Sequence, residues 1–326
     1  MIGGYRVTQI VRTGTQLGIC DALADGPRRA DELASTVTAD QDLLRRLMRA
    51  LVGIGVLEEG EDGRFSNTEL GGLLRTDAPA SMRNTAIGLA EDAWWRAWSE
   101  LPRGIENGVV PFELAHGASF WEVVGGDAAV AARFNGYMAA QTGALVPQLL
   151  AFDFSSCVRI VDVGGGSGAL VAGILAAHPS LRATVFDLEA GLDGADEYLR
   201  TRGVRDRCDL VAGSFFDVVP SGADAYILSR ILHDWDDTHA AKILANCRSA
   251  IRPGARLPVV DHILPARAID QPLERAALII DLHMYVLFGS RERTEEELRR
   301  MLGEAGFKVE RVVPTSPPST IVTQAF

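Results

Sequence analysis

The sequence predicts an α/β protein in which an open, Rossmann-like parallel sheet with helices on both faces follows about 100 mostly helical residues. Three observations predict it. After residue 150, apolar runs of strand length alternate with helical stretches. The first of these runs leads into IVDVGGGSGAL, residues 160–170, which places Gly164, Gly165, Gly166 and Gly168 directly behind a strand. Before residue 100, apolar residues recur instead at helical spacing.

A chain of 326 residues has room for two domains and a sizeable core. Its hydrophobic content of 47% and charged content of 23% are those of a soluble globular enzyme. The formal net charge of −11 opposes a long anionic partner, so binding to nucleic acid or an anionic membrane would need a strong local basic patch. Cys20, Cys157, Cys208 and Cys247 are scattered and form no C-x-x-C pair, which reads as buried thiols in a reducing compartment rather than a zinc site or disulfide framework. The start, MIGGYRVTQIVRTGTQLG, lacks the basic-then-apolar order of a signal peptide. The most apolar stretch, AALIIDLHMYVLF, is too short and interrupted to span a bilayer, and the cytoplasm is the expected location.

In chain order, Ala24 to Pro27 end a first helix and DELASTV forms a short second one. QDLLRRLMRALVGIGVL then sets Leu43, Leu44, Leu47, Met48, Leu51 and Ile54 at helical spacing. The acidic, turn-rich EEGEDGRFSNTELG predicts a small hairpin. Short helix, longer helix and hairpin make a winged-helix-like pattern, and a ligand-sensing DNA-binding regulator is one reading of it. However, residues 1–90 hold ten Arg and no Lys against twelve Asp and Glu, so the basic footprint is missing and Arg45, Arg46 and Arg49 read as a solvated face.

The later segment predicts strands at VRIVDV, RATVFDL, CDLVAG, DAYILS and RLPVVDH, with a helix after each of the first four. Pro258 lacks the ladder donor, which places the fifth strand at an edge or starts it late. FKVERVVPTSPPSTIVTQAF predicts two more strands around a proline-rich loop.

Ligands of open α/β sheets lie outside the carboxyl ends of the strands, so the residues standing there carry the functional reading. The first strand ends in the glycine loop. Gly164, Gly166 and Ala169 fit the dinucleotide pattern G-x-G-x-x-G/A, while Gly164, Gly166 and Gly168 fit the looser G-x-G-x-G turn of S-adenosylmethionine enzymes, and the loop alone does not decide. The second strand ends in Asp187, suited to a ribose diol, and the third in Gly213, Ser214 and Phe215, which can bracket an adenine. The fourth ends at Ser229 and runs into ILHDWDD, with Asp236 or Asp237 as the next helix cap and His233 on a loop at the ligand edge. The fifth ends in Asp261 and His262. His116, His178 and His239 have no such context and read as structural. There is no Tyr-x-x-x-Lys, and Lys242 and Lys308 are the only lysines, which argues against a nicotinamide dehydrogenase.

Taken in order, VDVGGGSG, VFDLEAG, AGSFFDVVP, ILSRILHDWDD, IRPGARLPVVDHILP and GSRERTEEEL resemble the S-adenosylmethionine-dependent O-methyltransferases of the caffeate and flavonoid type, in their bacterial natural-product branch. The resemblance covers nearly the whole chain. It implies a class I methyltransferase sheet in a catalytic domain over residues 99–326, a dimerisation domain over residues 1–98, a homodimer, and a small aromatic substrate. S-adenosylmethionine is the implied cofactor, with Thr142, Gly164, Gly166, Asp187, Ser214, Phe215 and Ser229 in contact with it. His233 matches the general base, Asp261 and Glu292 the acidic groups flanking it, and Phe134, Met138, His283 and Met284 the substrate lining. The chain departs from many members at Ser214, where they carry an acid. It departs from the plant enzymes at Ser229, where they carry lysine, and at Asp261, where they carry the longer Glu.

The implied chemistry is an in-line displacement, which positioning accelerates. A phenol of pKa about 10 must lose its proton, and a histidine near its reference pKa of about 6.5 can take it. No metal is needed, and no metal cluster stands out. Trp94, Trp95, Trp98, Phe120, Trp121, Phe134 and Tyr137 offer an aromatic acceptor pocket, although ordinary core packing accounts for at least half of them. A repurposed enzyme that binds S-adenosylmethionine but hydroxylates, decarboxylates or rearranges its substrate is the alternative within the same fold.

Overall fold

The computed structural model describes residues 2–78, 81–143, 145–150, 152–268, 272–313 and 320–324. The chain divides into two compact units, Met1–Trp95 and Arg96–Phe326.

The first unit holds α1 (Gly4–Gln16), α2 (Ala30–Ala34), α3 (Gln41–Gly53) and the antiparallel hairpin β1 (Leu57–Glu59) with β2 (Phe65–Asn67). Asp40 caps α3 by accepting from the Leu43 backbone N–H. Leu44, Met48 and Leu51 fall on one face of α3 and are buried with Ile19, Leu33 and Phe65. Leu43 lies off that stripe and is 61% exposed. Arg49 reaches Glu59 at 3.4 Å on the surface, as expected of a solvated face.

The second unit contains α4 (Phe120–Gly126), α5 (Ala128–Gly143), β3 (Arg159–Val163), α6 (Ala169–Ala177), β4 (Arg182–Asp187), α7 (Ala195–Thr201), β5 (Cys208–Ala212), β6 (Ala225–Ser229), α8 (Asp237–Ala250), β7 (Arg256–Val260), β8 (Ile263–Leu264), α9 (Pro272–Phe288), β9 (Arg293–Thr294), α10 (Glu295–Glu304), β10 (Lys308–Val313) and β11 (Thr320–Gln324). Its main sheet has the order β10-β11-β7-β6-β3-β4-β5. From β5 to β7 the strands are parallel, and β11 and β10 add antiparallel. The chain winds outward from β3 through β4 to β5, then returns to β6 on the other side. This makes a topological switch point between β3 and β6, where such sheets bind ligands.

Side-chain alternation along the strands builds two cores. Val161, Phe186, Tyr226, Leu228 and Val259 face one way, toward α8 and α10. Ile160, Val185, Ala225, Ile227 and Val260 face the other, toward α6.

Two expectations fail here. The third strand, β5, is followed by no helix: residues 213–224 form turns, in which Ser214 Oγ accepts from the Phe216 backbone N–H. Pro220 and Gly222, the latter at φ +93°, break any helix that segment would form. Pro258, moreover, lies mid-strand in β7, which is interior between β6 and β11. The parallel ladder to β6 pairs Arg256, Val259 and Val260 and leaves Pro258 out, so the missing N–H falls in a gap of the ladder.

Candidate active site

The loop after β3 turns sharply because Gly164 (φ +75°) and Gly166 (φ +52°) occupy the left-handed region. A Cβ on Gly164 would come within 2.4 Å of Ile231 Cδ1, so only glycine leaves the cradle open. The loop is tied to the end of β4 by Asp187, whose Oδ2 accepts from the Gly166 N–H at 2.8 Å and whose Oδ1 accepts from Leu188 at 2.7 Å. Burial raises the Asp187 carboxyl on balance, and these two N–H groups offset only part of that rise. Two bonds do not exhaust a carboxylate, which has about four acceptor positions.

A cavity lies outside the carboxyl ends of β3 to β6, lined by residues 164–167, 213–216 and 229–231, with Asp187, Asp234 and Trp235. Trp121 of α4 and Phe134, Met138 and Thr142 of α5 close its other side. All seven expected cofactor-contacting residues therefore meet in one cavity with Phe134 and Met138. His233, Asp261, Glu292, His283 and Met284 are not among its lining.

His233 sits on a short 3₁₀ turn, Leu232–Asp234, and is buried. Its Nδ1 lies 2.8 Å from Glu292 Oε1, and its Nε2 lies 3.4 Å from Asp234 Oδ1. A carboxylate only accepts, so Nδ1 carries the proton toward Glu292 and Nε2 is left for other partners. Asp234 also lines the cavity, and so connects it to the buried histidine. Glu292 is itself positioned by its backbone N–H, which donates to Asp281 at 2.9 Å. Asp261 is buried beside the cluster without hydrogen-bonding the imidazole, and among the described residues neither of its oxygens has a hydrogen-bond partner. It acts on His233 through charge alone.

The expectation of a histidine near its reference pKa does not hold. Burial by itself would pull the imidazole down, but the Glu292, Asp234 and Asp261 carboxylates outweigh it and push His233 up to about 10. Burial in turn pushes Asp234 and Asp261 up to about 7. His262 stacks near His233, with ring centroids 6.1 Å apart, and burial pulls it down to about 4. Two imidazoles side by side are thus shifted in opposite directions.

A family profile described as the O-methyltransferase domain matches residues 98–308, and one described as the O-methyltransferase dimerisation domain matches residues 1–77. This chain belongs to the O-methyltransferase family. It is 38% identical to the phenazine O-methyltransferase PhzM of Lysobacter antibioticus, over 99% of this chain and 93% of that relative. The solved structure of LaPhzM superposes with a TM-score of 0.93 at 37% identity, covering 100% of this chain and 97% of that one. The O-methyltransferase NcsB1 from neocarzinostatin biosynthesis, solved with S-adenosylmethionine and 2-hydroxy-5-methyl naphthoic acid, superposes at 0.79 with 33% identity, covering 98% and 96%.

In this O-methyltransferase the aromatic residues divide between cavity wall and core. Trp121 and Phe134 line the cavity, and Trp121 stacks on Trp235 at 6.0 Å and on Phe288 at 5.4 Å. Phe120 is buried core, Trp94 is buried in the first unit and Trp95 is partly exposed. Trp98 donates its indole N–H to His283 Nδ1 at 3.0 Å, and burial pulls His283 down to about 4, which leaves its proton on Nε2. Met284 is buried next to it in α9.

Sequence reasoning missed Asp234, Arg230 and Trp235. All three lie in the stretch ILSRILHDWDD, flanking residues it did select. The signal was proximity to the end of β6, where every side chain of a sharp turn is a candidate for the ligand. Of the two cap candidates, Asp236 and Asp237, it is Asp236 that caps α8 by accepting from the His239 N–H.

Proposed function

We propose that this O-methyltransferase transfers the methyl group of S-adenosylmethionine to a hydroxyl of a small aromatic acceptor, with His233 as the general base. The observation that carries the reading is the buried His233–Glu292 hydrogen bond, joined through Asp234 to a cavity bounded by the glycine loop and Asp187. The cavity fits the cofactor in kind. A Cβ at Gly164 would fill its cradle, Asp187 keeps acceptor capacity for a ribose diol, and Phe215 and Phe134 give apolar walls. Thr142, Gly166, Ser214 and Ser229 complete the proposed cofactor contacts, and Met138, His283 and Met284 the acceptor surface. When bound, S-adenosylmethionine supplies an electrophilic methyl group on a cationic sulfur.

The chain's own residues do the rest. Glu292 fixes the imidazole orientation and leaves Nε2 as the atom that exchanges a proton with the acceptor. Asp261 and Asp234 favour the imidazolium that results. A base raised by its carboxylate neighbours holds a proton more strongly than a free imidazole, which brings it closer in strength to a phenol. A domain over residues 1–98 serves for homodimerisation, and the protein works in the cytoplasm. Among the described residues no helix is long and apolar enough to cross a membrane.

Incubation with labelled S-adenosylmethionine and a panel of phenols tests the reading. The expected outcome is S-adenosylhomocysteine formed in step with an acceptor heavier by one methylene. Binding of the cofactor with an altered acceptor but no methylated product would point instead to the repurposed chemistry.

A further inference from the structure

Arg230 stands immediately after β6, at the switch point of the sheet, and its backbone has φ +56°. Thr38 is the only other non-glycine residue among those described with a positive φ. The backbone there is held by the Arg230 N–H donating to Val260 O at 2.8 Å, which ties the turn to β7. A side chain in the left-handed region is strained, and such strain persists where the surrounding structure enforces it.

The guanidinium belongs to a residue that is half-buried and lines the cavity. Among the described residues it makes no hydrogen bond or ion pair, and its Nε is buried without a partner. Asp234, Asp261 and Glu292 act on it through charge, but none takes up its donors. Arginine carries five N–H donors in a planar fork, and with no protein partner those donors stay available to a ligand in the cavity.

We propose that Arg230 is the carboxylate-binding residue of this cavity. The inference rests on the methyl-transfer reading, because the ligands concerned are the cofactor and the acceptor of that reaction. A carboxylate matches the fork in a bidentate pair, whereas a neutral phenol would leave it unfilled. Two ligands can supply that group: the amino-acid end of S-adenosylmethionine, or an acceptor that is an aromatic acid.

Arg230→Met and Arg230→Lys distinguish these sources when each is measured with ligands that do and do not carry the group. S-adenosylhomocysteine would be compared with 5′-methylthioadenosine, which lacks the amino-acid end. Salicylate would be compared with its methyl ester in the presence of S-adenosylhomocysteine. Titration calorimetry should show Arg230→Met weakening the carboxylate member of one pair by about 10- to 100-fold and its uncharged counterpart by less than about threefold. The pair affected names the source, and Arg230→Lys, which keeps charge but loses the fork, should fall between. Equal weakening within both pairs would make Arg230 a countercharge for the histidine cluster and overturn the proposal, as would no weakening in either. Failure of the wild type to bind S-adenosylhomocysteine at all would instead overturn the methyl-transfer reading on which the proposal rests.

Discussion

His233 and Glu292, 59 residues apart, meet at 2.8 Å between Nδ1 and Oε1 where solvent does not reach. The pairing joins a turn after β6 to the segment entering β9, and it sets both the orientation and the basicity of the imidazole. A buried hydrogen bond of this kind is costly to break from either side, because the group left behind is both desolvated and unpartnered.

Replacing the imidazole tests its chemical role directly. His233→Ala should reduce turnover by about 10²- to 10⁴-fold while leaving S-adenosylhomocysteine affinity nearly unchanged, since His233 does not line the cavity bounded by the glycine loop. The deficit should narrow as pH approaches the acceptor's own pKa of about 10, where solvent supplies phenolate. Steady-state rates across pH 7 to 10 (roughly the span from neutral to that pKa) check both points. A mutant that also loses the cofactor would make His233 structural.

The orienting carboxylate should leave its mark on pH dependence. His233 is raised in the folded chain, so its contribution to stability is complete below the unfolded value of about 6.5 and is lost as pH rises through about 10. Glu292→Gln removes the largest of the raising charges and lowers the imidazole's folded pKa. The stability gap between wild type and mutant, followed by urea unfolding, should therefore be widest near pH 6 and should close toward pH 10. The rising limb of kcat/KM should move to lower pH in the same mutant. A gap that stays constant across that range would mean that Glu292 supports the fold and does not tune the base.

Much of this arrangement was legible in the sequence, and the exceptions have physical causes. The strand-end residues Gly164, Asp187, Ser214 and Ser229 could be found because a parallel sheet brings successive carboxyl ends to one edge. Glu292 could not be found that way: it lies beyond the sheet's parallel strands and reaches His233 only through the tertiary path of α9 and β9. It entered through the resemblance alone. The raised imidazole was equally hidden, because it depends on three carboxylates converging in space, two of them far from His233 in the chain. Pro258 misled because strand periodicity says nothing about which ladder positions a neighbouring strand leaves open.

Asp187 should be structural and functional at once. Its two oxygens hold the Gly166 and Leu188 N–H groups, so Asp187→Ala strands two donors and frees the glycine loop. A loss of about 1 to 3 kcal/mol in urea unfolding is expected, together with at least about a tenfold loss of S-adenosylhomocysteine affinity. Asp187→Asn keeps one acceptor oxygen and should retain part of both. Unchanged affinity in the alanine mutant would separate the loop from the ligand.

The glycine loop allows a paired test of space against conformation. At Gly164 a methyl group meets Ile231 Cδ1 at 2.4 Å and Phe215 Cε1 at 3.5 Å, on a backbone at φ +75°. Ile231 packs into the core on the α8 side of the sheet as well as lining the cavity, so room for the methyl group requires repacking at both. Gly164→Ala thus combines left-handed strain with overpacking, and should cost about 2 to 5 kcal/mol. Gly303, in α10, offers the opposite case, with helical backbone and nothing within 4 Å of an added Cβ. Gly303→Ala should be stabilising by about 0.4 to 1 kcal/mol, because alanine has fewer unfolded conformations to lose. Thermal unfolding should move in opposite directions for the two substitutions. S-adenosylhomocysteine binding, measured well below either transition, should be lost only at Gly164, because only there does the new methyl group enter the cavity. Wild-type affinity in Gly164→Ala would show that the ligand does not approach this turn.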